Sequence, residues 1–178
     1  MTQRTQHQID ASSEVAPHSA TARVLHWGFI AVFIYALTKQ LDEVDELEDL
    51  ALLEYEMVFA GLFLMLLIAR YLYMRATRPS AMPPATPRRQ RLLARAVHLG
   101  MYLALGLVAV SGLVIGGLYG SGTKEGPAMS AALALHEIFV NTSYVLIIGH
   151  VAAAVYHRQL GDGIWGSMVP IWSKRKQQ

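Results

Sequence analysis

The sequence predicts an all-α membrane protein, a four-transmembrane-helix bundle running up, down, up and down, with both termini cytoplasmic. Three observations carry this. Of 178 residues, 53% are hydrophobic and 16% charged, a balance too apolar for an ordinary soluble domain. The apolar residues fall in four long blocks suited to a hydrocarbon layer about 30 Å thick. Of the 15 Lys and Arg, all but Lys39 and Lys124 lie on the side of the N-terminus, the second-to-third connection and the C-terminus. The positive-inside rule puts that side in the cytoplasm, and a helical bundle satisfies every backbone polar group in lipid.

One domain's worth of chain is present, divided as a polar tail (1–20), a transmembrane domain (21–172) and a basic end (173–178). The tail holds His7 and His18 in a polar, Pro-containing context, with no apolar stretch resembling a cleavable signal. The first apolar block, from Ala22 to Thr38, then acts as its own insertion signal. Its one polar intrusion is His26, followed by Trp27. Most of the 13 acidic residues come next, Asp42, Glu43, Asp45, Glu46, Glu48, Asp49, Glu54 and Glu56, and read as a solvated loop or, alternatively, a docking patch for a basic partner.

Leu52 to Met74 forms the second block, ended by Arg70, Arg75 and Arg78. The Pro-rich basic stretch PSAMPPATPRRQR is unfit to continue a helix. Leu92 to Tyr119 is the third block, with His98 near its start and the GxxxG spacings of Gly112, Gly116 and Gly120, which favour close helix packing. They also offer a surface for a second copy, and the oligomeric state stays open. Pro127 leads into the fourth block, Met129 to His157, and Trp165 and Trp172 suit the membrane interface.

The chemistry is concentrated in the histidines. His136 and His150 are fourteen residues apart, which returns them to one stripe of a helix about 21 Å apart along its axis. Ionisable residues at such depth are functional-site candidates. With the topology above, His26, His98 and His150 gather in the inner half, His157 sits at the boundary, and His136 stands apart towards the outer face. The chain has no cysteine, which excludes disulfides, thiolate catalysis, cysteine-held iron–sulfur clusters and covalent haem attachment. Haem b, an apolar plate whose iron takes two neutral imidazoles, is the best account of the grouping. A zinc or copper site needs a closer cluster, usually with a carboxylate or thiolate. Histidines bonded to backbone carbonyls are the plainest alternative.

The segments LHWGF, AVHLGMYL, LHE and IIGHVAAAVYHR resemble the bacterial cytochrome b561 family, related to the cytochrome b subunits of membrane hydrogenases and formate dehydrogenases. The resemblance runs from Ala22 to Pro170. It implies a respiratory-chain electron carrier of the bacterial inner membrane, with an inner haem held by His26 and His150. It implies an outer haem held by His136 and a histidine of the second span. That histidine is missing here, and its place falls at Glu56 or Met57. The alternatives are Met57 as the opposing ligand, loss of the outer haem, or His136 binding with another partner. One haem is therefore expected, with a second left open.

The resemblance also implies exchange of electrons between quinone and another donor or acceptor. His98, His157 and Arg158 are the candidates for protons and charge at a quinone site, while no catalytic residue beyond these ligands is assigned. Two alternatives accompany this reading: a haem-bearing anchor subunit of a dehydrogenase or reductase, and a superoxide:ubiquinone oxidoreductase. The acidic outer face suits a cationic periplasmic or membrane partner better than an anion. Nothing in the sequence points to nucleic acid.

Overall fold

A computed structural model describes residues 19–38, 49–77, 86–162 and 164–169. The tail histidines His7 and His18, the acidic run Asp42 to Glu48, most of the Pro-rich connection and the basic C-terminal end lie outside the described residues. Four long helices are present: α1 (Ala20–Thr38), α2 (Leu50–Thr77), α3 (Arg88–Gly120) and α4 (Pro127–Leu160). All four are long and apolar enough to cross a membrane. A short helix, α5 (Ile164–Met168), follows.

Each boundary has a local cause. Asp49 accepts from the backbone N–H of Ala51 and caps α2. Pro87 precedes α3, and Pro127 opens α4, where its missing N–H costs nothing. Gly161 ends α4 with φ +66°, and its N–H bonds back to the carbonyls of His157 and Arg158. That left-handed position suits glycine. The reversal folds α5 back onto the end of α4.

Side-chain pairs fix the helix directions. Ser19 meets Tyr73 at one end of the α1–α2 pair, and Tyr35 meets Tyr55 at the other. Tyr71 packs on Tyr102 between α2 and α3. His98 faces His150, and Ser111 meets His136, between α3 and α4. Every pair is antiparallel, so the chain runs up, down, up and down as expected. Two halves follow: a terminal half nearer both chain ends, and a loop half nearer the α1–α2 and α3–α4 connections.

The apolar surface is turned outwards. Val145 and Ile148 on α4 are 71% and 68% exposed, and Ile34, Leu62, Met65 and Leu103 are also open. Such a coat would be a liability in water and suits lipid. Inside, two separate clusters form. In the loop half, Leu53, Ile115, Tyr119, Met129 and Ala132 join α2, α3 and α4. Nearer the middle, Phe29, Phe63, Leu67, Leu105 and Ala109 join α1, α2 and α3, and Ile147 of α4 rests against them. Helices pack in chain order, α1 on α2, α2 on α3 and α3 on α4. Helices α1 and α4 make no extended contact.

The helix of the second span runs slightly past the expected Leu52 to Met74: α2 continues to Thr77, which leaves Arg70 about 10 Å inside the helix end. It follows Phe63 and Leu67 on the buried stripe of α2, so its side chain enters the bundle.

Candidate functional site between α1 and α4

Spacing along each helix sets the site. His26 lies six residues into α1, about 9 Å from its start, and His150 lies ten residues before the end of α4, about 15 Å from it. Both are half-buried. They stand on the two helices that make no extended contact with each other.

Arg70 fills the centre. Its Nη2 donates to His26 Nδ1 at 2.8 Å. Its guanidinium lies over the rings of Phe29 and Tyr102, with centroids at 5.6 and 5.5 Å. The Nε atom is buried with no hydrogen-bond partner, an unusual expense for a polar atom in an apolar interior.

His98 completes the group. Its ring meets His150 edge-to-face with centroids 5.0 Å apart. Two rings in that contact leave no room for a porphyrin between them, so they are neighbours rather than opposed ligands. His98 Nδ1 donates to the carbonyl of Ala94 at 2.6 Å, which in the neutral ring leaves the lone pair on Nε2.

At the rim, His157 Nδ1 bonds Asp162 Oδ2 at 2.5 Å. The other carboxylate oxygen of Asp162 accepts from the backbone N–H of Ile164. The Arg158 guanidinium lies 5.2 Å from the centroid of Trp165. The Gly161 reversal is what brings Asp162 and Trp165 to these partners.

The loop half is closed by comparison. Ser111 Oγ donates to the carbonyl of Leu107 at 2.6 Å and sits 2.9 Å from His136 Nδ1. With its proton spent on the carbonyl, the hydroxyl accepts from His136 Nδ1–H, which places the ring's lone pair on Nε2. A side chain added at Gly112 would meet His136 Cε1 at 3.6 Å. One added at Gly116 would meet Met57 Cγ at 2.8 Å and Sδ at 3.2 Å. The glycine stripe of α3 therefore faces inwards at Gly112 and Gly116 and makes room for His136 and Met57. Glu56, the other residue at the vacated histidine position, is half-buried.

Among the described residues, no three of His, Cys, Asp and Glu group as a metal-ion site would require. The terminal half instead offers half-buried imidazoles on two separate helices and an orphaned buried donor on a cation. Those features fit haem b. A family model described as prokaryotic cytochrome b561 matches residues 17–170.

The chain belongs to the prokaryotic cytochrome b561 family.

Comparison with curated proteins gave no match, and neither did comparison with solved structures. Membership makes the protein a multi-pass membrane cytochrome, and it implies haem-based electron transfer. Three residues of this cytochrome escape a reading of histidines alone: Arg70, Ser111 and Asp162. Arg70 carries a signal, because its spacing of seven and three residues from Phe63 and Leu67 puts it on their stripe. Ser111 is a hydroxyl in the middle of an apolar helix. Asp162 is visible only once the Gly161 turn is known.

Proposed function

We propose that this cytochrome carries electrons between the quinone pool and a partner through one haem b, held by His26 and His150 in the terminal half. The observations supporting this most directly are a half-buried histidine on each of α1 and α4, with Arg70 bonded to His26 and His98 packed on His150. His26 and His150 would hold the haem, which would supply an iron that accepts and donates single electrons. The protein residues hold and orient it: His98 packs against His150 and restrains its ring.

Quinone chemistry needs protons as well as electrons. His157 and His98 are placed to provide them, since each has Nδ1 engaged and Nε2 as the exchanging atom. Asp162 positions His157, and Trp165 holds Arg158 at the rim. With the terminal half on the cytoplasmic side, as the distribution of Lys and Arg supports, the quinone site lies at the inner face.

A one-haem protein is favoured by the loop half, where Met57 and His136 are seated on α3 within a packed core. The test is haem stoichiometry with reduced-minus-oxidised spectra of purified wild type, His26→Ala and His150→Ala. One haem, lost in either variant, is expected. A low-spin spectrum retained in both would overturn the ligand assignment, and two haems per chain would overturn the count.

A further inference from the structure

Arg70 presents a charge that the bundle itself does not balance. Guanidinium stays ionised in proteins, and an unpaired ion in an apolar interior is strongly unfavourable. Among the described residues no carboxylate pairs with it: its contacts are the His26 ring, two aromatic faces and an empty Nε. Glu54 and Glu56 belong to the first two turns of α2, at the opposite end of the bundle, and Glu137 lies in the loop half beside His136. Aromatic faces attract a cation only weakly compared with an anion. The forked donor set of Arg matches a carboxylate, which accepts two parallel N–H bonds.

The His26 contact also conflicts with haem ligation. His26 Nδ1 accepts a hydrogen bond from Arg70, so the neutral ring carries its proton on Nε2. Ligation of iron through Nε2 requires that proton on Nδ1, where it would point donor against donor at Arg70. The two arrangements exclude each other. A ligated His26 must therefore be released by Arg70, and the freed guanidinium needs an acceptor in the same half of the bundle.

We propose that Arg70 is the carboxylate-binding residue of the haem pocket, exchanging its bond to His26 for a carboxylate of the porphyrin as the cofactor enters. The inference rests on the haem reading above and deepens it. Haem b brings an apolar plate and two carboxylates at its edge. An anionic lipid headgroup is the other source of the same negative charge, and the test separates the two.

The experiment compares wild type, Arg70→Gln and Arg70→Lys, each loaded with haem b or with its dimethyl ester, which has no ionised carboxylate. Release of each pigment to excess apomyoglobin is followed, with the low-spin spectrum reporting intact ligation. Arg70→Gln is expected to release haem b at least tenfold faster while releasing the ester at the wild-type rate. Arg70→Lys, which keeps the charge and loses the fork, should fall between. Equal acceleration for both pigments would make Arg70 a packing residue and overturn the proposal. No acceleration for either would also overturn it and assign the counter-charge to lipid. If wild type binds neither pigment, the haem reading fails first; if it binds both and His26→Ala retains the low-spin spectrum, the exchange with His26 fails while a carboxylate contact stands or falls on the release rates.

Discussion

The two halves of this bundle hold their histidines differently. In the loop half, His136 sits over Gly112, bonded to Ser111, beside a core made by Leu53, Ile115, Tyr119, Met129 and Ala132. In the terminal half, His26 and His150 stand on helices that do not close on each other, around an Arg70 whose Nε has no partner. The same residue type is thus a packed, hydrogen-bonded neighbour in one half and part of an unfinished polar group in the other. Buried polar groups left incomplete within a membrane-like interior mark the place where a ligand completes the structure.

The largest expected effect breaks that contrast at its centre. His150→Ala should remove the whole low-spin haem signal, and His136→Ala should leave it in place. Difference spectra of the two variants decide the matter; equal losses would mean that both halves bind haem.

Packing of the loop half is tested at Gly116. A methyl group there would stand 2.8 Å from Met57 Cγ, and overpacking of this kind costs about 1–3 kcal/mol. Gly116→Ala should lower the thermal unfolding midpoint in detergent while leaving the haem spectrum unchanged. Adding Met57→Ala to it should recover part of that loss, because the contact disappears. A haem spectrum altered by Gly116→Ala alone would place cofactor in the loop half.

A subtler comparison concerns the terminal rim. Asp162→Asn keeps the size of the side chain but removes the anion that orients His157. Haem content should stay at the wild-type level, while quinone turnover falls by about tenfold, less than the roughly 10²–10⁴-fold that proton transfer by a positioned side chain contributes, because His157 itself is kept. Turnover unchanged in the presence of full haem would remove His157 from the proton route.

Much of this was legible in the sequence for a physical reason: lipid imposes long uninterrupted apolar runs, so the four helices, their order and the antiparallel pairing follow from block lengths and short connections. Histidine depth followed as well, since rise per residue is fixed, and His98 did fall level with His150. The inward turn of Arg70 was not legible, because a cation near the end of an apolar block looks like a boundary marker, and only its register with Phe63 and Leu67 gives its direction. The partnership of His157 with Asp162 depends on a left-handed turn at Gly161, and the seating of Met57 depends on which way the α3 glycines face. Both are tertiary facts, set by how helices rotate against one another rather than by the order of residues in one of them.

Ser111 gives the smallest effect and the sharpest view of the loop half. Its hydroxyl donates to Leu107 and accepts from His136, so removing it takes away one hydrogen bond from a half-buried imidazole. A net hydrogen bond of this kind contributes about 1 kcal/mol. Ser111→Ala should therefore lower stability slightly, and it should also free the His136 ring to exchange tautomers. If His136 only fills space, the haem spectrum and midpoint potential of Ser111→Ala will match wild type. If His136 ligates a haem through Nε2, loss of the Ser111 acceptor weakens the ligand's orientation and basicity, and the potential of that haem must shift. A single unshifted potential thus identifies the loop half as packing, and a second, shifted one identifies it as a station for electrons.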